Sequence, residues 1–128
     1  MAKRPKMKQA QITFPKRGDV FLVSFDPTLG HEIKKTRPAV IIQNDISNQY
    51  SPVTIVAAIS SSFSVPPHPR EVIVEPGSSG LTKPSAIILN QIRTVDRQRL
   101  IKKIGHLDPA TMQGADGALK ISLGLVEL

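Results

Sequence analysis

Two apolar runs rich in β-branched residues, Ala39–Ile42 and Val53–Ile59, most constrain what this chain can fold into. Runs of this length and composition, bounded by polar residues, predict buried strands. Each run carries a polar side chain at one end: Arg37 stands where the first begins, and Ser60 stands where the second stops. A guanidinium and a hydroxyl at strand ends on a small barrel can together bind a phosphodiester.

The rest of the chain predicts more short strands and one helix. The further strands are Val20–Phe25, Glu71–Val74, Ser85–Ile92 and Ile104–His106. Residues 26–36, 44–52 and 60–70 are rich in turn formers and predict loops, and residues 96–103 predict one or two helical turns. Asp108 before Pro109 is typical of a helix start, and the helical spacing after it predicts about fifteen residues of helix. We therefore expect a mainly β fold, a small β-barrel with appended helices.

The positive charge of the chain is concentrated at its beginning. The net charge is +7, but residues 1–17 hold six basic residues and no acidic one, which leaves eleven basic and ten acidic residues for the rest. Residues 1–16 are polar and basic with two prolines, which predicts a disordered extension before a single domain at 17–128. Such an arm is attracted to RNA or DNA by counterion release, or else only keeps the protein soluble.

Composition also narrows the classes of protein. The chain has no cysteine, so disulfides and thiolate metal sites cannot hold it together, which fits a cytosolic protein. No apolar run approaches the roughly 18 residues that span a bilayer. No spaced cluster of His, Asp and Glu has the pattern of metal ligands, so we expect neither a metal nor another cofactor.

Three short segments carry a family resemblance. Arg17-Gly18-Asp19-Val20, Arg37-Pro38 and Gln91-Ile92-Arg93-Thr94 resemble the MazF/PemK family of bacterial toxin endoribonucleases, and the similarity runs from about Arg17 to Leu128. The resemblance implies an SH3-like barrel of the PemK/CcdB type and the toxin of a type II toxin–antitoxin system. It also implies a homodimeric, cytoplasmic mRNA interferase that cuts single-stranded RNA at specific sequences without a metal. Attack by the 2′-hydroxyl would leave a 2′,3′-cyclic phosphate (or a 3′-phosphate) and a 5′-hydroxyl, and an acidic antitoxin segment would occupy the same groove.

The resemblance assigns catalytic roles to two residues. Arg37 matches the family's catalytic arginine, and Ser60 stands where the family usually has a catalytic threonine. Serine keeps the hydroxyl but lacks the methyl group that restricts its rotamer, so a neighbouring serine could act instead. An arginine is a poor general base, since its pKa lies above about 12. His31, whose ordinary pKa near 6.5 suits proton transfer, is our candidate acid or base, or else it stacks on a base.

The same comparison implies contacts to RNA. Glu32, Asn44 and Gln91 match family positions that contact RNA, and amide side chains can bind the Watson–Crick edges of unstacked bases. Lys34 and Lys35 make the first loop cationic, which either guides RNA inward or is an ordinary solvated loop tip.

Two alternatives remain open at this stage. Gyrase-poisoning toxins share the fold and bind a protein without cutting RNA, but they depend on an aromatic residue at the end of the last helix. This chain ends Gly124-Leu125-Val126-Glu127-Leu128, without one. The serine at position 60 also allows a degenerate relative that binds RNA or antitoxin and no longer cleaves.

Overall fold

The computed structural model describes residues 13–127. Most of the predicted disordered extension, residues 1–12, lies outside the described residues. Residues 13–16 lie against the folded domain: Pro15 is buried, and Arg97 donates a hydrogen bond to the Thr13 carbonyl at 3.2 Å.

The fold is one antiparallel sheet with two helices, which confirms the predicted mainly β class and the C-terminal helix. The strands are β1 (Asp19–Ser24), β2 (Thr36–Ile41), β3 (Val53–Ser60), β4 (Glu71–Val74), β5 (Ser85–Asp96) and β6 (Leu100–His106). The helices are α1 (Asp45–Tyr50) and α2 (Pro109–Ser122). The strands follow the order β4-β5-β3-β2-β1-β6, so the described sheet is open, with β4 and β6 at its edges. Neither of the two helices between residues 13 and 127 is long and apolar enough to cross a membrane.

The side chains of the central strands alternate between two apolar clusters. Val40, Ala57 and Ile59 point to one face, where Ala115 and Ala118 of α2 complete the larger cluster. The opposite face carries the smaller cluster, whose buried members are Val23, Phe25, Ala39, Ile41, Val56, Ala58 and Val95. Because both faces of β2 and β3 are covered, these strands appear in the sequence as unbroken apolar runs rather than as an alternating pattern.

A backbone contact brings the turn after β4 against the far edge of the sheet. The His106 amide donates to the Ser78 carbonyl at 2.9 Å. A Cβ on Gly80 would lie 1.9 Å from the Ile104 carbonyl oxygen, and one on Gly105 would lie 2.3 Å from the Ser78 carbonyl oxygen. Gly80 also has a positive φ of 79°. The curved sheet therefore approaches closure only because these two positions have no side chain.

The predicted loop at residues 44–52 is wrong, because it contains α1. The Asn44 side chain accepts a hydrogen bond from the Ser47 amide at 2.8 Å and so caps the helix. Asn48 is fully buried, donates to the Gln43 carbonyl, and accepts from the Thr54 hydroxyl at 2.7 Å. The residues that suggested a turn thus act as a cap and as an internal hydrogen-bonding group.

Two further predictions need correction near the end of the sheet. The predicted helical turns at residues 96–103 are a single 3₁₀ turn, Arg97–Arg99, followed by β6. The exposed residues Ile101, Lys102 and Lys103 belong to this edge strand, where charged side chains are common. β5 extends to Asp96, four residues beyond its predicted end, and α2 is confirmed with Asp108 as its cap.

Candidate active site

Arg37, near the start of β2, and Ser60, at the end of β3, belong to the same end of the sheet. Ala39 pairs with Ala58 and Ile41 pairs with Val56 in the antiparallel ladder between β2 and β3. The same register, continued by two residues, sets Arg37 opposite Ser60 on the same face. The two apolar runs therefore bring a guanidinium and a hydroxyl together, although they are 23 residues apart in the chain.

The Ser60 hydroxyl is buried and partly engaged with its own loop. Ser60 is 9% exposed. Its Oγ accepts a hydrogen bond from the Ser62 amide at 3.1 Å and lies 3.4 Å from the Ser62 carbonyl oxygen. The second distance is long for a hydroxyl donor, so the hydroxyl hydrogen can turn toward another acceptor. Ser61 is exposed and lines a cavity together with Arg37.

The Arg37 side chain is half-buried and makes one hydrogen bond, from Nε to the Lys34 carbonyl at 3.1 Å. Among residues 13–127 it forms no ion pair, since the two ion pairs of this part of the chain join Arg17 to Asp116 and Lys103 to Asp19. Its terminal nitrogens are left to bind an anion in the bidentate manner typical of arginine.

The cavity that Arg37 lines, here called the rim cavity, has a volume of about 410 Å³ and opens at the start of β2. Its floor is apolar and includes Leu22, Pro38 and Ile59. Its polar residues are Arg37, Ser61, Thr82, Lys83 and Ser85. None of the described residues that line it is acidic, so a bound anion would meet two cations and no opposing charge.

The loop that joins β1 to β2 is held down by Gln91. The Gln91 Oε1 accepts from the Ile33 amide at 3.2 Å, and its Nε2 donates to the His31 carbonyl at 3.4 Å. A bulge in β5 explains its position: Ala57 pairs with Ile92 but Ala58 pairs with Ile88, so three residues are displaced from the ladder. Bulges commonly redirect a side chain near a functional site.

Glu32 lies with Gln91 in a second cavity of about 210 Å³, here called the loop cavity. Its other lining residues are Phe25, Ile33, Ile92 and Arg93. The Glu32 Oε1 accepts from the Leu29 amide at 2.7 Å, which closes the turn at the loop tip. The structure thus brings together two of the three residues assigned to RNA contact, on the smaller of the two apolar faces.

The remaining loop residues have simpler surroundings. His31 is exposed, and its ring makes no hydrogen bond within residues 13–127. Lys34 and Lys35 are exposed, and their side chains form no ion pair in that range either. The backbone of Lys35 has a positive φ of 65°, and its amide donates to the Asp26 carboxylate at 3.0 Å.

Asn44 does not join this group. It follows the far end of β2, seven residues from Arg37, which is about 23 Å along an extended strand. Its side-chain oxygen caps α1, while its amide nitrogen has no hydrogen bond to a described residue. Within one copy of the chain, Asn44 and the Arg37 end of the sheet are separate.

Lys83 was not among the residues predicted to bind RNA. It lies within residues 76–84, which are rich in Gly, Ser and Pro and predict an ordinary turn. The absence of any acidic residue between Pro76 and Ser85 was the signal available in the sequence. Within residues 13–127, no group of three His, Asp or Glu residues is arranged to hold a metal ion.

Comparisons with known proteins agree with this fold. Residues 16–123 match the family of PemK-like, MazF-like toxins of type II toxin–antitoxin systems. The chain is 45% identical over 112 residues to Endoribonuclease EndoA of Bacillus subtilis (strain 168), which covers 88% of this chain and 97% of that protein.

Solved structures show the same fold at lower identity. MazF from Deinococcus radiodurans superimposes with a TM-score of 0.73 at 22% identity, covering 88% of this chain and 98% of that one. A mycobacterial endoribonuclease in complex with its cognate antitoxin gives a TM-score of 0.72 at 23% identity, covering 89% and 99%. With a family match over most of its length and a relative at this identity, the chain belongs to the PemK-like, MazF-like toxins of type II toxin–antitoxin systems.

Proposed function

We propose that this chain is a sequence-specific endoribonuclease that cuts single-stranded RNA without a metal. The relative that is 45% identical over nearly its whole length is named an endoribonuclease. The observation that carries the proposal is the β2–β3 register, which sets Arg37 opposite Ser60 when it is continued two residues beyond Ala39 and Ala58. Arg37 also lines a cavity in which none of the described lining residues is acidic. The 2′-hydroxyl would attack the adjacent phosphorus and expel the 5′-oxygen, giving a 2′,3′-cyclic phosphate and a 5′-hydroxyl.

Arg37 and a serine hydroxyl would stabilise the charge that develops on the phosphate. The free terminal nitrogens of Arg37 can bind the non-bridging oxygens in a bidentate manner. The Ser60 hydroxyl would add one hydrogen bond. The reaction also needs a base that takes the 2′ proton and an acid that protonates the 5′-oxygen, and His31 on the neighbouring loop is our candidate for one of these steps.

Glu32 and Gln91 would read the base next to the cut. Both line the loop cavity, but the Gln91 side-chain amide is hydrogen-bonded to the backbone of the loop. A base that replaces these loop contacts would gain the same amide for its Watson–Crick edge. Lys34 and Lys35 at the loop surface would attract the RNA strand before it docks.

The partners in this proposal are a second copy of the chain and an antitoxin. Asn44 lies far from Arg37 within one copy, and a homodimer in which the two ends approach would bring both to the same stretch of RNA. The family description places these proteins in toxin–antitoxin systems, and one solved relative is bound to its cognate antitoxin. An acidic antitoxin segment would compete with RNA for the cationic surface. We propose a cytoplasmic location, where mRNA is translated.

The proposal is tested by incubating the purified protein with a long RNA in EDTA and mapping new ends by primer extension. We expect discrete cuts at one short sequence, with 5′-hydroxyl ends, and no cuts from Arg37→Ala. Cleavage that requires an added metal would contradict the mechanism, and cleavage that persists in Arg37→Ala would point to a contaminating nuclease.

The alternatives are less well supported. Binding to gyrase without RNA cleavage is not favoured, since the curated relative is named an endoribonuclease.

Single-turnover rates of Ser60→Ala and Ser61→Ala decide which hydroxyl acts. We expect the larger loss from Ser60→Ala, because the β2–β3 register, continued two residues beyond the paired Ala39 and Ala58, sets Ser60 opposite Arg37. A larger loss from Ser61→Ala would transfer the role to its exposed neighbour.

A further inference from the structure

Lys83 places a second cation in the rim cavity. Arg37 and Lys83 both line this cavity of about 410 Å³, together with the hydroxyl-bearing residues Ser61, Thr82 and Ser85. Within residues 13–127, no acidic residue lines it and neither cation is in an ion pair. A concave site that pairs two uncompensated cations with the hydroxyl groups of Ser61 and Thr82 has the chemistry of an anion site.

The backbone around Lys83 is fixed, although its side chain is exposed. The Ser85 hydroxyl donates to the Lys83 carbonyl at 3.0 Å, and Ser85 itself is buried as the first residue of β5. On the other side, Leu81 is buried in the larger apolar cluster, and Gly80 is pressed against the backbone of β6. The amine is therefore presented at the cavity from an anchored turn rather than from a free loop.

The two cavities lie on either side of the Arg37 end of the sheet. The apolar floor of the rim cavity includes Ile59, a member of the larger cluster, whereas the loop cavity includes Phe25 of the smaller cluster. Arg37 lines the rim cavity and is hydrogen-bonded to the loop that borders the other. A strand that is cut at Arg37 and has one base in the loop cavity would reach the rim cavity if it continues past Arg37 on the other side.

We propose that Lys83 binds the phosphate next to the scissile one, so that the rim cavity is a second phosphate subsite. This inference rests on the proposed nuclease function. The occupant is RNA rather than an acidic peptide, because the cavity shares Arg37 with the proposed cutting position. Lys83 acts by positioning: it holds the strand on one side of Arg37 while the loop cavity holds a base on the other.

The test compares wild type with Lys83→Met, Lys83→Arg and the control Lys120→Met, whose lysine is exposed on α2. The probe is a short RNA that contains the mapped cut site, with a 2′-deoxy nucleotide at that site so that binding is measured without cleavage. We expect Lys83→Met to weaken binding about tenfold at low salt and to reduce the slope of log Kd against log salt by about one. Lys83→Arg should restore most of the affinity, and Lys120→Met should bind like wild type.

A series of RNAs with one neutral methylphosphonate at successive positions locates the contact. We expect the difference between wild type and Lys83→Met to vanish at one position only, directly beside the scissile phosphate. A difference that persists at every position would overturn the inference, because it would indicate general attraction. Equal RNA binding by Lys83→Met and Lys120→Met would also overturn it. A Lys83→Met variant that binds RNA like wild type but no longer binds polyglutamate would overturn it too, because the cavity would then bind an acidic peptide.

Cleavage of the all-ribose RNA is measured in parallel and separates the two claims. Wild type that cleaves, with Lys83→Met unaffected in both affinity and rate, contradicts the second subsite alone. Wild type that binds but does not cleave contradicts the nuclease proposal. In that case there is no scissile phosphate for Lys83 to neighbour, and the subsite as stated is overturned as well.

Discussion

The two ends of strands β2 and β3 carry similar polar and charged side chains. At one end these side chains bind each other, and at the other end they are left for a ligand. At one end, Arg17 donates to the Ile42 carbonyl at 2.8 Å and pairs with Asp116, while Asn48 binds Gln43 and Thr54. At the other end, Arg37 makes a single hydrogen bond to a loop carbonyl, and Lys83 makes no ion pair within residues 13–127. The first end is a closed polar network that holds the fold, and the second leaves cations for a ligand. An arginine at a strand end is therefore informative only once its partners are known.

Replacing Arg37 should give the largest effect on activity. We expect Arg37→Met to slow RNA cleavage by about 10²–10³-fold, the range for loss of one preorganised donor to a transition-state oxyanion. Its single hydrogen bond to Lys34 contributes little to the fold, so the urea midpoint should stay close to that of wild type. Single-turnover cleavage and equilibrium unfolding measure the two quantities. A large fall in stability would mean that Arg37 also stabilises the fold.

Replacing Asn48 should have the opposite effect from replacing Arg37: stability should fall and the rate of cleavage should not. Asn48 is fully buried, and Asn48→Ala would leave the buried Thr54 hydroxyl without its acceptor. We expect a loss of about 2–4 kcal/mol in the free energy of unfolding, from a broken buried network. Urea unfolding measures it, and cleavage by the folded fraction should be unchanged. A loss below about 1 kcal/mol would contradict the closed network.

Arg17 offers the matched comparison for Arg37. Arg17→Met removes an ion pair and a backbone contact that join the beginning of the chain to α2 and to the end of β2. We expect a loss of only about 1–2 kcal/mol in the free energy of unfolding, since these groups are partly exposed. The rate of cleavage should not change, because Arg17 lies at the opposite end of the sheet from Arg37. Reduced cleavage at full folding would show that the two ends are coupled.

Asp108, at the start of α2, should give the smallest effect and a distinct pH dependence. Hydrogen bonds from Thr111 hold the pKa of the Asp108 carboxyl below its ordinary value of 3.8. Because the folded pKa is lowered, the stabilisation is present above pH 4 and is lost as the pH falls below 3.8 toward the folded pKa. We expect Asp108→Ala to lower Tm by about 3–5 °C at pH 7, and by less at pH 2. An equal loss at both pH values would mean that the charge has no part in the cap.

Much of the fold follows from local patterns in the sequence. The central strands are unbroken apolar runs, and Asp108-Pro109 marks the start of α2. Helix α1 was not predicted, because Asn44, which caps it, and Asn48 within it are residue types that are also common in turns. Most of β6 was not predicted, because an exposed edge strand with two lysines has no apolar period. The strand is defined by its pairing with β1, a tertiary contact that local propensity does not contain.

The candidate site was predictable only in part. The placement of Arg37 and Ser60 at the ends of two buried strands follows from the sequence, and the antiparallel register of β2 and β3 brings those ends to the same side of the sheet. The contact of Gln91 with the loop depends on a three-residue bulge inside β5, and the shared cavity of Arg37 and Lys83 depends on how a distant turn packs. Asn44 could not be separated from the other RNA candidates by residue type alone, since only the ladder sets it at the opposite end.

Gly80 and Gly105 lie directly against neighbouring backbone. These two positions cannot accept a side chain, whereas the exposed residues beside them can be substituted. Their contact joins the turn to β6 through main-chain atoms alone, and the adjoining residues Leu81 and Ile104 form part of the cavity floor. Substitutions at Thr82 or Lys83 would alter only what the surface offers to a strand of RNA. Substitutions at either glycine would separate the two walls and remove the recess itself. Under the proposed function, the phosphate contact at the rim can thus vary while the backbone contact beneath it stays unchanged.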